Sequence, residues 1–406
     1  MKSLLFILLI PFLAHPQFMT GADVLVAENA SVLKGKRAGI ITNHTAVLKN
    51  GTHLVDSLVK MSGVTISAIF GPEHGFRGNA SAGEKVETTT DPATGLKVYS
   101  LYGTISKPTP EMLSDIDLLV FDMQDIGARF YTYISTLYKC IESAAENGKE
   151  FLVLDRPNPL GGNRVMGPVL EDEFRSFVGI TNIPVAHGMT TGELALLFAD
   201  EISARVGKVI KPGIIKCGNY RRDTDFKSLG LPWVSPSPNI KNYETILTYP
   251  GMCFLEGTNL SEGRGTDLPF LISGAPYINY ETLLKEMKRQ NIAGAEISQI
   301  TFTPYEIKGV ALNPKYKEQK CFGVEIRITD RSKYDPFYTG IALIYSVMKT
   351  HKKEFSFNEK WFDKLAGTKR LREMLQSGKK PSEIISAFDE DLKKFKEKRK
   401  KYLIYN

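Results

Sequence analysis

The sequence predicts an α/β fold, a mostly parallel, doubly wound sheet followed by a smaller α+β domain. Three observations carry this expectation. Short apolar, β-branched runs recur at residues 37–42, 64–70, 116–121 and 151–154; helically spaced segments separate them; and each run stops at polar, turn-forming residues. Strands that alternate with helices imply parallel pairing through crossover connections.

Taken in order, residues 37–42 read as a strand ending in Asn43 and His44, and residues 52–61 carry apolar positions at helical spacing. The next strand, 64–70, runs into Gly71, Pro72, Glu73, His74 and Gly75, a sudden stop that sets a carboxylate beside an imidazole. A polar excursion over 79–110 follows, with one short strand at 96–101; a loop of that length inside a compact domain usually covers a site. Strand 116–121 ends in Asp122 and Asp125, a helix over 131–147 follows, and strand 151–154 ends in Asp155, Arg156 and Asn158. Thr190 and Glu193 have capping-box spacing before a helix through 205, which favours a structural role for Glu193. A strand over 209–215 comes next. From about residue 274 the texture changes, with strands expected at 301–305 and 322–329 and helices at 340–349 and 382–400. The expected organisation is a leader at 1–22, a catalytic domain at 23–275 and an auxiliary domain at 276–406.

With 406 residues, 42% hydrophobic and 24% charged, the chain has ordinary globular composition and room for two domains. Its net charge of +7 is concentrated in residues 392–406, which hold seven Lys or Arg and one Glu. That tail reads as a solvated face, so no nucleic-acid partner is expected. Lys2 precedes an apolar run over 4–14, too short to span a bilayer, which reads as an export leader. The expected location is therefore periplasmic or secreted, with no integral membrane contact. Cys140, Cys217, Cys253 and Cys321 lie far apart and read as buried thiols, with one disulfide open to an exported chain.

The chemistry follows from where the carboxylates fall. In an open α/β sheet, ligands bind beyond the carboxyl ends of the strands. Glu73, Asp122, Asp125, Asp155, Glu256 and Glu262 all follow predicted strands or sit in Gly-rich loops. Neighbouring carboxylates push their pKa values apart, the usual equipment for cleaving a glycosidic bond. Glu73 is the candidate acid, with His74 as its hydrogen-bond partner, and Asp122, Asp125 or Glu262 as the second carboxylate. Further substrate-binding candidates are Asn43 and Arg77 flanking the first two strand ends, Arg129 and Tyr131, the Asp155, Arg156 and Asn158 group, and His187. Trp233 and Asn239 bound a rigid Pro-rich stretch against which a sugar ring can lie, and Glu256, Asn259 and Arg264 give a Gly-rich loop more polar groups than a turn needs. A metal set of His44, His74, His187 and Asp122 is the chemical rival, though no His-x-x-x-His pair occurs, and neither metal nor cofactor is expected. No phosphate loop, Gly-x-Gly-x-x-Gly or Gly-x-Ser-x-Gly motif is present. A non-catalytic periplasmic protein that binds wall fragments is the rival outside enzymology.

Several of these stretches resemble one known family, the NamZ-type exo-β-N-acetylmuramidases. They are Phe70-Gly-Pro-Glu-His-Gly-Phe-Arg-Gly78, Ser100-Leu-Tyr-Gly103, residues 121–133, residues 154–162, His187-Gly-Met189, residues 231–239 and residues 256–265. The resemblance implies a Rossmann-like domain with an auxiliary domain and an active site in the cleft between them. It implies an exo-acting hydrolase that releases N-acetylmuramic acid from the non-reducing ends of peptidoglycan fragments, so the partners are muramic acid glycosides. The family's proposed catalytic glutamate falls on Glu73, and for Arg129, Arg156 and Arg264 two roles stay equally open, holding the lactyl carboxylate or forming a buried structural ion pair. Retaining, inverting and substrate-assisted routes all stay open.

Overall fold

The computed structural model describes residues 17–73, 75–78 and 88–406. The apolar run at 4–14, His74 and most of the first part of the polar excursion lie outside them. The amino-terminal part contains α1 (Gly21–Ala27), β1 (Arg37–Thr42), α2 (Leu54–Leu58), β2 (Thr65–Gly71), β3 (Thr89–Thr90), β4 (Lys97–Ser100), β5 (Leu118–Asp122), α3 (Tyr133–Asn147), β6 (Glu150–Leu154), β7 (Met166–Val169), β8 (Pro184–Ala186), α4 (Thr191–Val206) and β9 (Gly213–Ile215). Seven strands form one sheet in the order β3-β4-β2-β1-β5-β6-β9. Every pair is parallel except β3 with β4.

Alternation along these strands divides the core. Ile40, Val120, Leu152 and Leu154 point to the face covered by α1 and α2, while Ile41, Phe121, Phe151 and Val153 point to the face covered by α3 and α4. Because both faces are covered, the central strands read as unbroken apolar runs. β9 is shorter than the expected 209–215 because Pro212, which lacks an N–H, precedes it. Thr190 and Glu193 form the expected capping box on α4, which ends at Gly207 with φ +72.

The remainder contains α5 (Tyr243–Met252), β10 (Ile272–Ala275), α6 (Tyr280–Lys288), β11 (Ala295–Phe302), β12 (Cys321–Ile328), α7 (Pro336–Thr350), α8 (Glu359–Ala366), α9 (Arg370–Gln376), α10 (Pro381–Ser386) and α11 (Asp389–Arg399). β10, β12 and β11 form an antiparallel sheet in that order. The edge strand β11 lies upstream of the expected 301–305, since its alternating polar residues hide it from an apolar-run reading. The helix expected at 382–400 breaks before Phe388, whose buried ring faces the core between α10 and α11.

One core cluster reaches from Ile41 through α3 and α4 to Phe395 and Tyr402, so the two parts share their interior. Arg129 fastens them. It is fully buried, and its guanidinium donates to the carbonyls of Pro168 and Ile183 at 2.8 and 2.9 Å and of Leu365 and Ala366 at 2.7 Å each. Burial pushes it down to about 9, still protonated at neutral pH. Gly367 ends α8 with φ +73, and a Cβ there would stand 2.8 Å from the guanidinium. Arg129 is thus a tie between chain segments, with both Nη groups spent on backbone carbonyls.

The basic tail is only partly the solvated face that was expected. Lys393, Lys394, Lys396 and Lys398 are exposed, but Leu392, Phe395, Arg399 and Tyr402 are buried at helical intervals. Arg399 donates to the carbonyls of Gly162, His187 and Gly188. Ile404 N–H donates to Glu193 Oε1 at 3.0 Å, and the Tyr405 hydroxyl to Asp155 Oδ2 at 2.6 Å. Residues inside the expected leader span also belong to the body: Phe18 is buried, Met19 pairs with Gly218, and Gly21 N–H donates to Asp155 O. The four cysteines are buried and unbridged. Among the described residues no helix is long and apolar enough to cross a membrane.

Two outcomes follow. Arg129→Met removes donors from four buried carbonyls, so it should cost at least about 3 kcal/mol in denaturant unfolding; an unchanged midpoint would refute the tie. Burial raises Asp155 to about 6, against the donors of Tyr405, Gly192 and Thr190. Its folded pKa lies above its unfolded one, so its contribution is full below about pH 4 and is lost as pH rises through about 6. Wild-type stability relative to Asp155→Asn should therefore fall by up to roughly 3 kcal/mol between pH 4 and 7, read from unfolding midpoints.

Candidate active site

β2 ends at Gly71, and Pro72, with no N–H to extend a ladder, turns the chain. The Pro72 carbonyl accepts from Gly75 N–H at 3.0 Å, and Gly75 takes φ +73, a conformation that favours glycine. The turn sets Glu73, half-buried, just beyond the carboxyl edge of the sheet, one strand from the place where strand order reverses between β1 and β5.

Thr132 stands at the N-cap of α3. A cap threonine ordinarily accepts from a free N–H of the first helical turn. Thr132 makes no such bond, and its hydroxyl donates instead to Glu73 Oε2 at 2.8 Å. The helix thereby forgoes about 1 kcal/mol of capping, and the carboxylate gains a fixed orientation. On its other side, burial first, then the charge of Glu73 and a hydrogen bond with it, push the Tyr102 phenol up, so Tyr102 stays protonated.

Glu73 opens on a cavity of about 480 Å³. Tyr131 and Tyr133 line it ahead of and at the start of α3, Phe177 from the loop after β7, Tyr249 from α5, and Trp361 and Lys364 from α8. Aromatic walls of this kind suit a sugar ring. The buried Tyr131 hydroxyl has the Tyr133 phenol beside it, and among the described residues no carbonyl or carboxylate takes its proton, so a bound molecule can accept from it. Glu256 and Arg264 complete the charged lining, joined at 2.8 Å. The tract 256–265 therefore enters the site through its first and ninth residues.

The other predicted residues are held elsewhere. Asp122 forms a two-pronged ion pair with Arg156, Nε to Oδ1 at 2.5 Å and Nη2 to Oδ2 at 3.0 Å, both side chains buried. Asp125 Oδ2 accepts from Gly127 N–H at 2.7 Å and lies 3.7 Å from His187 Nε2. His187 Nδ1 accepts from Met189 N–H, which leaves the ring proton on Nε2. Glu262 is buried against Lys315 at 3.2 Å and Arg264 at 3.6 Å. None of these three carboxylates lines the cavity. Arg77 bridges Asp56 and Asp91. Asp155 receives the start of α4 and the chain terminus. Asn158 and Asn259 are spent on local turns and backbone carbonyls, whereas Asn43 Oδ1 accepts from Thr45 and Asn239 Nδ2 donates to Val310 O, which leaves the other amide atom of each buried, that of Asn239 without a partner among the described residues. Trp233 is 42% exposed, donates to Lys241 O and lines a separate narrow cleft. His44 Nε2 lies 2.8 Å from Ser235 O, and among the described residues no three His, Cys, Asp or Glu side chains converge as a metal site would require.

Tyr102, Thr132, Tyr249, Trp361 and Lys364 were not singled out from sequence. The available signals were weak: Tyr102 stands in the long excursion expected to cover a site, and Trp361 is one of only two tryptophans.

Comparison with known proteins adds to the geometry. The family description "Exo-beta-N-acetylmuramidase NamZ, N-terminal" matches residues 38–244, and its C-terminal counterpart matches residues 247–405. The curated peptidoglycan beta-N-acetylmuramidase NamZ of Bacillus subtilis (strain 168) is 43% identical over 391 residues, 96% of this chain and 92% of that protein. Two crystal structures of DUF1343 family proteins from Bacteroides fragilis NCTC 9343 are similar throughout. One is 34% identical with TM-score 0.87, covering 97% of this chain and 100% of the other. The second is 35% identical with TM-score 0.78, covering 96% and 99%.

Proposed function

The chain belongs to the exo-β-N-acetylmuramidase NamZ family and is an exo-acting muramidase, a glycosidase, and we propose that Glu73 is its proton donor. The observation that carries this reading is the diverted cap: Thr132 orients Glu73 at the mouth of a sugar-sized, aromatic-walled cavity. Glu73 gives its proton to the leaving glycosidic oxygen as the bond to the muramic acid anomeric carbon breaks. Glu256 is the second carboxylate of the reaction, since it is the other acidic residue lining the cavity among the described residues. The Tyr131 hydroxyl donates to a substrate oxygen. The products are free N-acetylmuramic acid and a shortened fragment of peptidoglycan, which suits a role in wall turnover.

On a chromogenic N-acetylmuramic acid glycoside, Glu73→Gln should lower kcat by at least about a thousandfold without unfolding the protein. Thr132→Val should lower kcat by roughly tenfold while leaving stability within about 0.5 kcal/mol, because no cap bond is lost. Full activity in Glu73→Gln would remove the residue from the mechanism.

The apolar amino end serves as an export leader, and its removal falls before Phe18, because Phe18, Met19 and Gly21 are built into the fold. Amino-terminal sequencing of exported protein should find a start at or before residue 18; a start at 23 would contradict it.

A further inference from the structure

An N-acetylmuramic acid unit differs from N-acetylglucosamine by one group, a lactyl ether on O3 that ends in a carboxylate. Selection of one over the other needs a cation in the cavity, and the described lining offers Arg264 and Lys364. Arg264 is already engaged: Glu256 holds it at 2.8 Å, Glu262 lies 3.6 Å away, and its guanidinium sits 5.0 Å over the Phe270 ring. Arg129 and Arg156, the other arginines of the sequence motifs, are buried outside the cavity in structural bonds.

Lys364 is different. Among the described residues it has no ion pair, and the group beside its ammonium is the Trp361 ring, 5.8 Å away. The two lie three residues apart on α8 and so share one face of the helix, which lines the cavity together with Leu365, while Phe362 is buried in the core. α8 cannot drift, because Arg129 holds the carbonyls of Leu365 and Ala366, one and two residues beyond Lys364. A half-buried ammonium of this kind is a strong site for an anion.

We propose that Lys364, backed by the Trp361 ring, binds the lactyl carboxylate and is the residue that makes the cavity select muramic acid over glucosamine glycosides. The assignment rests on the muramidase reading above. It gives the auxiliary part of the chain a direct role in specificity, facing Glu73 from across the cavity. Because a lactyl group in amide linkage to a peptide has no carboxylate, the same contact favours glycans whose stem peptides are absent.

The test compares the chromogenic N-acetylmuramic acid glycoside with its lactyl methyl ester, using the full chain. Wild type should prefer the carboxylate by about tenfold or more in kcat/KM. Lys364→Met should lose that preference to within about twofold, chiefly through KM, with little change on the ester, and Lys364→Arg should keep most of it. If Lys364→Met retains the wild-type ratio, Lys364 is not the reader. If wild type cleaves neither compound, the muramidase reading falls and this assignment falls with it.

Discussion

The structure depends on a guanidinium with no counter-ion. Arg129 is buried without a carboxylate partner, and its charge is carried by four backbone carbonyls from three separate segments. Leaving such a charge unsolvated would be prohibitive, so the segments that supply the carbonyls are bound to one arrangement. The loop that ends in Thr132 and α3, the β7–β8 hairpin and the end of α8 meet there. Each of those elements is next to the cavity. The cleft is therefore shaped by a bond network that never touches its contents.

The Thr132 hydroxyl shows a related economy of groups. Helix caps are worth about 1 kcal/mol, and α3 gives one up at the residue that meets Glu73. Several carboxylates nearby are held within the chain: Asp122 by Arg156, Asp155 by the α4 start and Tyr405, Glu193 by Arg222 and its own cap. Against that background, a carboxylate oriented by a diverted cap, with the buried Tyr131 phenol lining the same cavity, stands out as arranged for something outside the chain.

The central sheet was legible because strands covered on both faces write themselves as apolar runs, and β1, β2, β5 and β6 did so. β11 was misplaced because an edge strand carries alternation that a run-based reading overlooks. The position of Glu73 beyond a strand end was legible for the same reason as the strand. What the strand-end rule cannot separate is a carboxylate folded into the body of the chain from one that lines a cavity. Asp122 and Asp155 satisfy the rule as well as Glu73 does, and both are structural. Trp361 and Lys364 escaped notice since α8 arrives at the cavity by a tertiary tie, and nothing local in its sequence reports the journey.

The bond from Tyr405 to Asp155 joins residues 250 positions apart. Ile404 and Asn406 add backbone bonds to Glu193 and Arg222 beside it. The carboxyl end of the sheet is thus covered by residues 404–406. Asp155 is covered by a segment 250 residues further along the chain, so the carboxyl edge of the sheet is complete only once that distant segment has docked. Closing so long a loop is entropically slow, so this contact belongs to the late steps of folding.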